Sequence, residues 1–505
     1  MDRLKRLVLE WSVIRLIYEL SNGKVIEDEK LSSIMEYLTD NDVIHSDDYT
    51  WDNIGLATLM ADIYGEVLRY CPQNGCWYLW DKAWVKQDDA GVIMDMLQTL
   101  LNLLCIYQRE IPDDDTSRAY SKYLHTVRNF RPMMNVLETL KTALSIRINL
   151  WEMDNNPYLL NTSTGAFNLK TGEKITTDIK QYNVTQKANC GLPDFTTVYC
   201  KRWYEFIDQI TSHDTEKANF LQRALGYSIL GVNREECMFI AYGATTRNGK
   251  GTLFSSITAA LGGDYVGTIS PELICERKNG KTTDFNAAQP ALSRVTSSRI
   301  VTMAESEMGV MLDSASIKTL TGRDKLMTRG LYEKPYEFIP QFTMWMNTNY
   351  LPNVNDLTVF DSDRIWVIPF NEHFTGQAQD KDLKEIFAAP ENRPTILKWL
   401  YDGCRDYLKN GLQVPDCVKK ATLEYRQMHD KISRFISESC DTSDPEAMVL
   451  RGNLYSWYRI WCNKIDNKFA PMGSTTFYGE VKKRGYELVH TSRGWFFKGI
   501  AATQP

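Results

Sequence analysis

The spacing of apolar and polar residues changes period several times along the chain, and those changes divide it. Residues 4–20 and 30–40 carry apolar positions at helical spacing and predict two short amphipathic helices. Between Trp51 and Lys187 the character is mixed. Alternating aromatics over 77–84, broken at Asp81-Lys82, predict a β-hairpin, and helical spacing returns over 92–108 and 131–144. Residues 157–173 read as a second, turn-punctuated hairpin. Two helices are predicted over 200–210 and 217–230. An apolar run at 237–242 then has the length of a buried strand, and similar runs follow at 299–304, 341–347 and 364–369. Helices resume from 381 to about 440, and a Thr-Ser-Asp-Pro turn at 442–445 marks a boundary. In the remainder, 454–463 and 474–484 predict helices, while 486–489 and 494–498 predict a closing hairpin. Helix, helix and two-strand wing is the winged variant of helix-turn-helix.

Composition narrows the picture. A chain of 505 residues with 43% hydrophobic content can bury several cores. Its net charge of −6 excludes a uniformly basic nucleic-acid coat, so any such surface must be local. The tail, 441–505, holds nine Lys/Arg against six Asp/Glu, a local excess of basic residues. Eleven cysteines show no C-x-x-C pair, and the nearest spacing, Cys71 to Cys76, lacks partners for a zinc site; this usage fits a reducing compartment. The N-terminal residues lack a signal-peptide core, and the most apolar segment, 97–106, is too short to span a bilayer. A soluble, intracellular protein without membrane contact is expected.

The chemistry concentrates at 237–253, CMFIAYGATTRNGKGTL. A strand, a glycine-bounded polar loop, a lysine, a hydroxyl and a helix form a phosphate cradle: backbone N–H groups and the helix N-terminus face the anion. Gly243, Asn248, Gly249, Lys250, Gly251 and Thr252 are the candidate nucleotide contacts. Lys250 neutralises terminal phosphates and Thr252 faces Mg²⁺. Gly243 lies one residue earlier than G-x-x-x-x-G-K-[ST] asks, and Gly251 separates Lys250 from Thr252.

The second apolar run ends in Glu305-Ser-Glu307. A carboxylate there can orient the metal shell and polarise an attacking water, Glu305 first and Glu307 in reserve. After the third run, Asn349 can hydrogen-bond the γ-phosphate or the water. Arg364, which opens the fourth run, can reach a neighbour's cradle in a ring. Between the second and third runs, 320–338 reads as a hairpin that projects Lys334 beside Tyr332, a cation with an aromatic platform suited to single strands. In the tail, Lys482, Lys483 and Arg484 end the second helix and Arg493 sits in the wing turn, a candidate DNA face.

GATTRNGKGT, RIVTMAESE, LTGRDKLMTRGLYEKPYEF, FTMWMNTNYLP and DRIWVIPF, in this order, resemble the phage and poxvirus primase-helicases, the superfamily 3 helicases within the AAA+ class; the likeness spans about 51–500. The resemblance implies an α/β fold: a AAA+ P-loop core with a parallel sheet at 232–375, preceded by a helical segment (1–50), an α+β N-terminal-type domain (51–190) and a helical collar (191–231). A helical extension (376–440) and a winged-helix-like DNA-binding domain (441–505) follow. It implies an ATP-driven DNA helicase of a phage or mobile element, using ATP and Mg²⁺ on single-stranded and forked DNA as a homo-oligomer, a hexamer, in the host cytoplasm, with a separate primase as a possible partner. By motif position, Lys250 and Thr252 are phosphate and Mg²⁺ ligands, Glu305 the acidic residue, Asn349 the sensor and Arg364 the arginine finger. Arg329, Tyr332 and Lys334 fall in the DNA-translocating hairpin, and Lys318 and Arg323 also match. Two other readings stay open: an initiator whose ATP site controls assembly without a motor, and a small-molecule kinase.

Overall fold

A computed structural model describes residues 28–505 apart from 88–90, 111–112, 194–199, 277–284, 286–287, 304–309, 332–334, 355, 377–378, 466–470 and 503–505. The helix expected over 4–20 lies outside these residues.

The first unit packs α1 (Asp28–Asp40), α2 (Asn53–Tyr64), α3 (Gly91–Tyr107), α4 (Asp114–Val127) and α5 (Phe130–Leu140) against a three-stranded antiparallel sheet. That sheet consists of β1 (Leu68–Cys71), β2 (Cys76–Trp80) and β3 (Trp84–Gln87). The β2–β3 hairpin turns at Asp81-Lys82, as expected. α2 begins where Asp52 accepts the N–H groups of Ile54 and Gly55, replacing partners that a first helical turn lacks. Leu59, Met60, Leu97, Leu100, Leu104, Val136 and Leu140 fill the shared core. A second hairpin, β4 (Leu159–Thr162) and β5 (Gly165–Asn168), leads to α6 (Lys201–Ile210) and α7 (Thr215–Ser228).

The middle of the chain holds, in order, β6 (Met238–Tyr242), α8 (Lys250–Leu261), β7 (Val266–Ile269), α9 (Pro290–Ser293), β8 (Ile300–Met303), β9 (Met311–Leu312), α10 (Ser314–Thr321), β10 (Leu326–Thr328), β11 (Tyr336–Phe338), β12 (Thr343–Thr348), β13 (Asn353–Val354), α11 (Thr358–Asp361) and β14 (Ile365–Pro369). Five of these strands form a parallel sheet in the order β14-β6-β12-β8-β7. Its strand β6, MFIAY, is hydrophobic along its length because both faces are covered. Along β6, Phe239 and Ala241 enter one core with Trp345 and Ile257, while Met238 and Ile240 enter another with Ile317 and Tyr425.

The C-terminal elements are α12 (Leu383–Ala388), α13 (Arg393–Asn410), α14 (Asp416–His429), α15 (Lys431–Ser439), β15 (Cys440–Asp441), β16 (Met448–Leu450), α16 (Arg451–Ile465), α17 (Ser474–Lys483), β17 (Leu488–Thr491), β18 (Gly494–Lys498) and β19 (Ala501–Ala502). α13 crosses α7 at two glycines. A Cβ at Gly226 would stand 2.1 Å from the Cys404 nitrogen, and one at Gly403 would stand 2.1 Å from the Gln222 carbonyl oxygen. β16-β18-β17 form a three-stranded antiparallel sheet, one strand more than the expected wing. α15, read from sequence as part of the helical extension, packs into this tail: Phe435 meets Tyr458, Trp461 and Phe477.

Arg299, wholly buried just ahead of β8, ties the sheet to the N-terminal unit. Its Nε donates to Gln186 Oε1 at 3.2 Å and its Nη1 to the Pro157 carbonyl at 3.4 Å. Burial presses its pKa down, opposed by nearby Tyr265 and Asp154. The Asp154 carboxyl is pushed up by burial and held partly in check by bonds from Thr185.

Candidate functional site

The turn after β6 follows from sheet register. Thr348 of β12 lies opposite Tyr242 of β6, so Gly243 and Asn349 leave adjacent parallel strands side by side, with the Gly243 N–H bonded to the Thr348 carbonyl. Crevices at the carboxyl ends of such strands are where open α/β sheets bind ligands. The loop runs to Gly249, which caps α8 at φ 85°. α8 starts at Lys250, three residues earlier than its apolar spacing indicates, so Lys250, Gly251 and Thr252 form its first turn. The N–H groups there have no carbonyl one turn earlier to bond.

Lys250 is 3% exposed, and its Nζ donates to Asn349 Oδ1 at 2.9 Å and to the Gly243 carbonyl at 3.4 Å. Asn248 is buried beside it and donates to the Thr245 carbonyl at 2.5 Å. The displaced Gly243 has a steric reason. A Cβ there would stand 2.2 Å from Asn248 Nδ2, 2.6 Å from the Phe370 carbonyl oxygen and 3.0 Å from Lys250 Nζ. Gly249 is equally constrained, since a Cβ would meet Ile210 Cγ2 of α6 at 2.3 Å. The result is a glycine-bounded turn leading into a helix N-terminus, with a buried ammonium beside it. It fits an oligophosphate.

The other expected residues are dispersed. Glu305 and Glu307 lie outside the described residues; β8, which leads to them, ends at Met303 beside Met346 of β12. Arg364 stands at the amino end of the strands, opposite to Lys250, where its carbonyl accepts the Met238 N–H. Its guanidinium is engaged within the chain, donating to Glu236 Oε2 and Thr321 Oγ1, both at 2.8 Å, and to the Lys318 carbonyl at 3.2 Å. Arg323, 58% exposed, reaches the same Glu236 at 3.3 Å. Lys318 pairs with Asp356 at 3.1 Å. Burial alone would raise Asp356, but bonds from Thr358 and Lys318 hold it below the usual carboxylate range.

β10 and β11 pair as the expected hairpin, with Arg329 exposed after β10; Tyr332 and Lys334 lie outside the described residues. In the tail, Lys482, Lys483 and Arg493 are exposed. Arg484 differs from expectation. It donates to Asp430 at 2.5 Å, to Glu480 at 2.9 Å and to Ser433 at 2.9 Å, so it clasps α15 to α17 rather than presenting a free cation. The sequence reading also passed over Arg202, Phe206, Gln209, Phe374, Asp380 and Lys384, which line a cleft beside the loop. The only signal for the first three was a polar–aromatic–polar face on α6, ordinary for a helix.

Residues 57–212 match the family described as D5 N terminal like. The protein named "Putative helicase L207/L206" of Acanthamoeba polyphaga mimivirus is 24% identical over 460 residues, covering 80% of this chain and 45% of that protein. These matches support the phage and poxvirus primase-helicase family. A second relative, "Putative helicase 022R" of Frog virus 3 (isolate Goorha), is 23% identical over 292 residues, 55% of this chain and 29% of its own length. The chain thus spans less than half the length of both viral relatives. The apo structure of the NrS-1 C-terminal region, A form, aligns over 88% of this chain and 98% of its own at 9% identity, with a TM-score of 0.46, too slight to argue from. No helix among the described residues is long and apolar enough to cross a membrane.

Proposed function

We propose that this chain is the motor part of an ATP-driven viral DNA helicase, a superfamily 3 member of the AAA+ class, working in replication as a ring of identical subunits. The carrying observation is the 2.9 Å bond between Lys250 Nζ and Asn349 Oδ1 at the carboxyl ends of adjacent parallel strands, beside a loop too tight for any residue but glycine at 243. Relatives named as helicases support the same reading. Bound Mg²⁺–ATP would supply a transferable γ-phosphoryl group. Lys250 would neutralise the terminal phosphates, the Thr252 hydroxyl would face the metal, Asn349 would orient the attacking water and Glu305 would polarise it. A subunit neighbour's Arg364 would complete the site. Arg329, Tyr332 and Lys334 would track a single strand, and the tail, read as a winged helix, would offer Lys482, Lys483 and Arg493 to duplex DNA.

A second reading keeps the ATP site but has no motor, so that ATP only controls assembly on DNA. The engagement of Arg364 by Glu236 and Thr321 favours it, because a trans finger must first leave that pocket. A strand-displacement assay on forked DNA decides between the two. ATP-dependent unwinding by the wild type, lost in Lys250→Ala, supports the motor. ATP hydrolysis with no displacement supports the assembly reading.

A further inference from the structure

Away from the loop, at the amino ends of β6 and β14, one carboxylate serves two arginines. Arg364 Nη2 donates to Glu236 Oε2 at 2.8 Å, and Arg323 Nε stands 3.3 Å from Glu236 Oε1. The two arginines are held differently. Arg364, 18% exposed, also donates to the last turn of α10, to the Thr321 hydroxyl at 2.8 Å and the Lys318 carbonyl at 3.2 Å. A helix C-terminus carries partial negative charge, so the end of α10 and Glu236 together form a seat for a cation. Arg323 is tied instead to the bend that carries Glu236. Its Nε donates to the Asn233 carbonyl at 3.1 Å and its Nη2 to the Arg234 carbonyl at 2.7 Å.

The main chain aims Arg364 and Glu236 at each other from two left-handed bends. Glu236 adopts φ 50°, and Asp363, just before Arg364, adopts φ 52°. Such a backbone is uncommon for a residue with a Cβ, and more so for glutamate than for aspartate. The bend at Asp363 is pinned on both sides. The Arg364 N–H donates to the Val359 carbonyl at 2.8 Å, and Arg426 of α14 donates to Asp361 at 2.7 Å. With its main chain fixed, Arg364 can leave the seat only by swinging its side chain.

That departure does not strand Glu236. A buried carboxylate that loses its one partner is strongly destabilising. Glu236 is 37% exposed and keeps Arg323, whose other bonds are to the same bend and do not depend on Arg364. The seat is therefore built for a cation that comes and goes.

We propose that Glu236 is a positioning residue for Arg364: it holds the guanidinium within its own subunit until a neighbour's nucleotide takes it, while Arg323 keeps the carboxylate paired. The inference rests on the reading of Arg364 as a finger for a neighbouring subunit and adds what controls it. Hydrolysis and association are then both reduced by the fraction of subunits whose Arg364 is seated.

Whole-chain variants test it, assayed for ATP hydrolysis over a series of protein concentrations and for self-association by sedimentation velocity with a slowly hydrolysed ATP analogue. Glu236→Gln should raise hydrolysis per subunit about threefold or more and move association to lower protein concentration. In an Arg364→Ala background the same substitution should change neither, because nothing is left to release. Arg323→Ala should act in the opposite direction, and the double variant with Glu236→Gln should match Glu236→Gln alone. If Glu236→Gln fails to fold by circular dichroism, Thr321→Val, which deletes another acceptor of the seat, takes its place with the same expected sign. Hydrolysis by Glu236→Gln at or below the wild-type level, with Arg364→Ala inactive, overturns the inference and leaves the finger reading standing. No hydrolysis by the wild type, or wild-type hydrolysis by Arg364→Ala, removes the finger reading and this inference with it.

Discussion

Two glycines a few residues apart make opposite demands. Gly243 is enclosed by Asn248, Phe370 and Lys250, whereas Gly251 has only Lys384 within reach of a Cβ, at 4.0 Å. Gly243→Ala should therefore displace Lys250 from Asn349 and weaken ATP binding by about tenfold or more, ~1.4 kcal/mol, with the fold intact by circular dichroism. Gly251→Ala should leave affinity within a few-fold and hold or slightly raise the melting temperature, since glycine costs a helix interior roughly 0.5–1 kcal/mol. Titration calorimetry beside thermal melts separates the two. At this scale the loop, Lys250 and Asn349 were legible because glycine, a lone lysine and a polar end to an apolar strand are unusual together. Glu236, Lys384 and the clasp made by Arg484 were not, because a charged residue on a helix or turn has the same appearance in sequence whether it is solvated or paired.

Among elements, the crossing of α7 and α13 is the tightest constraint. Gly226 and Gly403 let the two backbones touch, and both helices fill the core beneath β6. Gly226→Ala should force them apart and destabilise the protein by about 1–3 kcal/mol, measured by urea denaturation, with no direct effect on the loop residues. A second element carries a pH dependence. His429, the last residue of α14, donates from Nδ1 to the Tyr425 carbonyl and stacks edge-on to that ring. Burial lowers its pKa below the ordinary 6.5, and Lys431 adds to the effect against the Tyr425 carbonyl. The folded protein thus refuses a proton that the unfolded chain accepts. Stability is unaffected above the ordinary histidine range and is lost as pH falls through it. The fall in melting temperature between pH 7 and pH 5.5 should be shallower in His429→Gln. Long, strongly periodic helices and the central strands were readable. α4 was not, because Tyr120, Leu124 and Val127, with Tyr123 packed beside them, are its described contribution to the core, and β7 and β16 were missed because such short strands have no period of their own.

For the whole molecule, the position of α15 decides where the tail can be cut. Removing 441–505 would strip Phe435 of Tyr458, Trp461 and Phe477 and leave Ile432 and Ile436 bare. Removing 431–505 takes the tail core as a unit. The longer deletion should be the more soluble of the two by size-exclusion chromatography, and should keep basal ATPase while losing most duplex binding. The proposed sharing of sites between subunits has its own check. Arg364→Ala and Glu305→Gln should each be nearly inactive, yet mixed rings of the two should recover part of the hydrolysis, because some interfaces pair an intact Glu305 with an intact Arg364. No recovery in mixed rings proven by cross-linking would remove Arg364 from the catalytic role.

All five strands of the central sheet run the same way, so its two ends are unlike: Lys250 and Asn349 stand at the carboxyl end, Arg364 and Glu236 at the amino end. A two-fold pair joins the two only if both ends of the strands lie in one patch, set antiparallel against its own copy. An arrangement in which Arg364 serves the loop of one neighbour while its own loop is served by another is head-to-tail. Each added subunit then leaves one end of each kind exposed, and growth stops only when the rotation between neighbours closes on itself. Direction is written into such an assembly before any DNA enters it. Every subunit faces the same way around the circle, and the two faces of that circle differ.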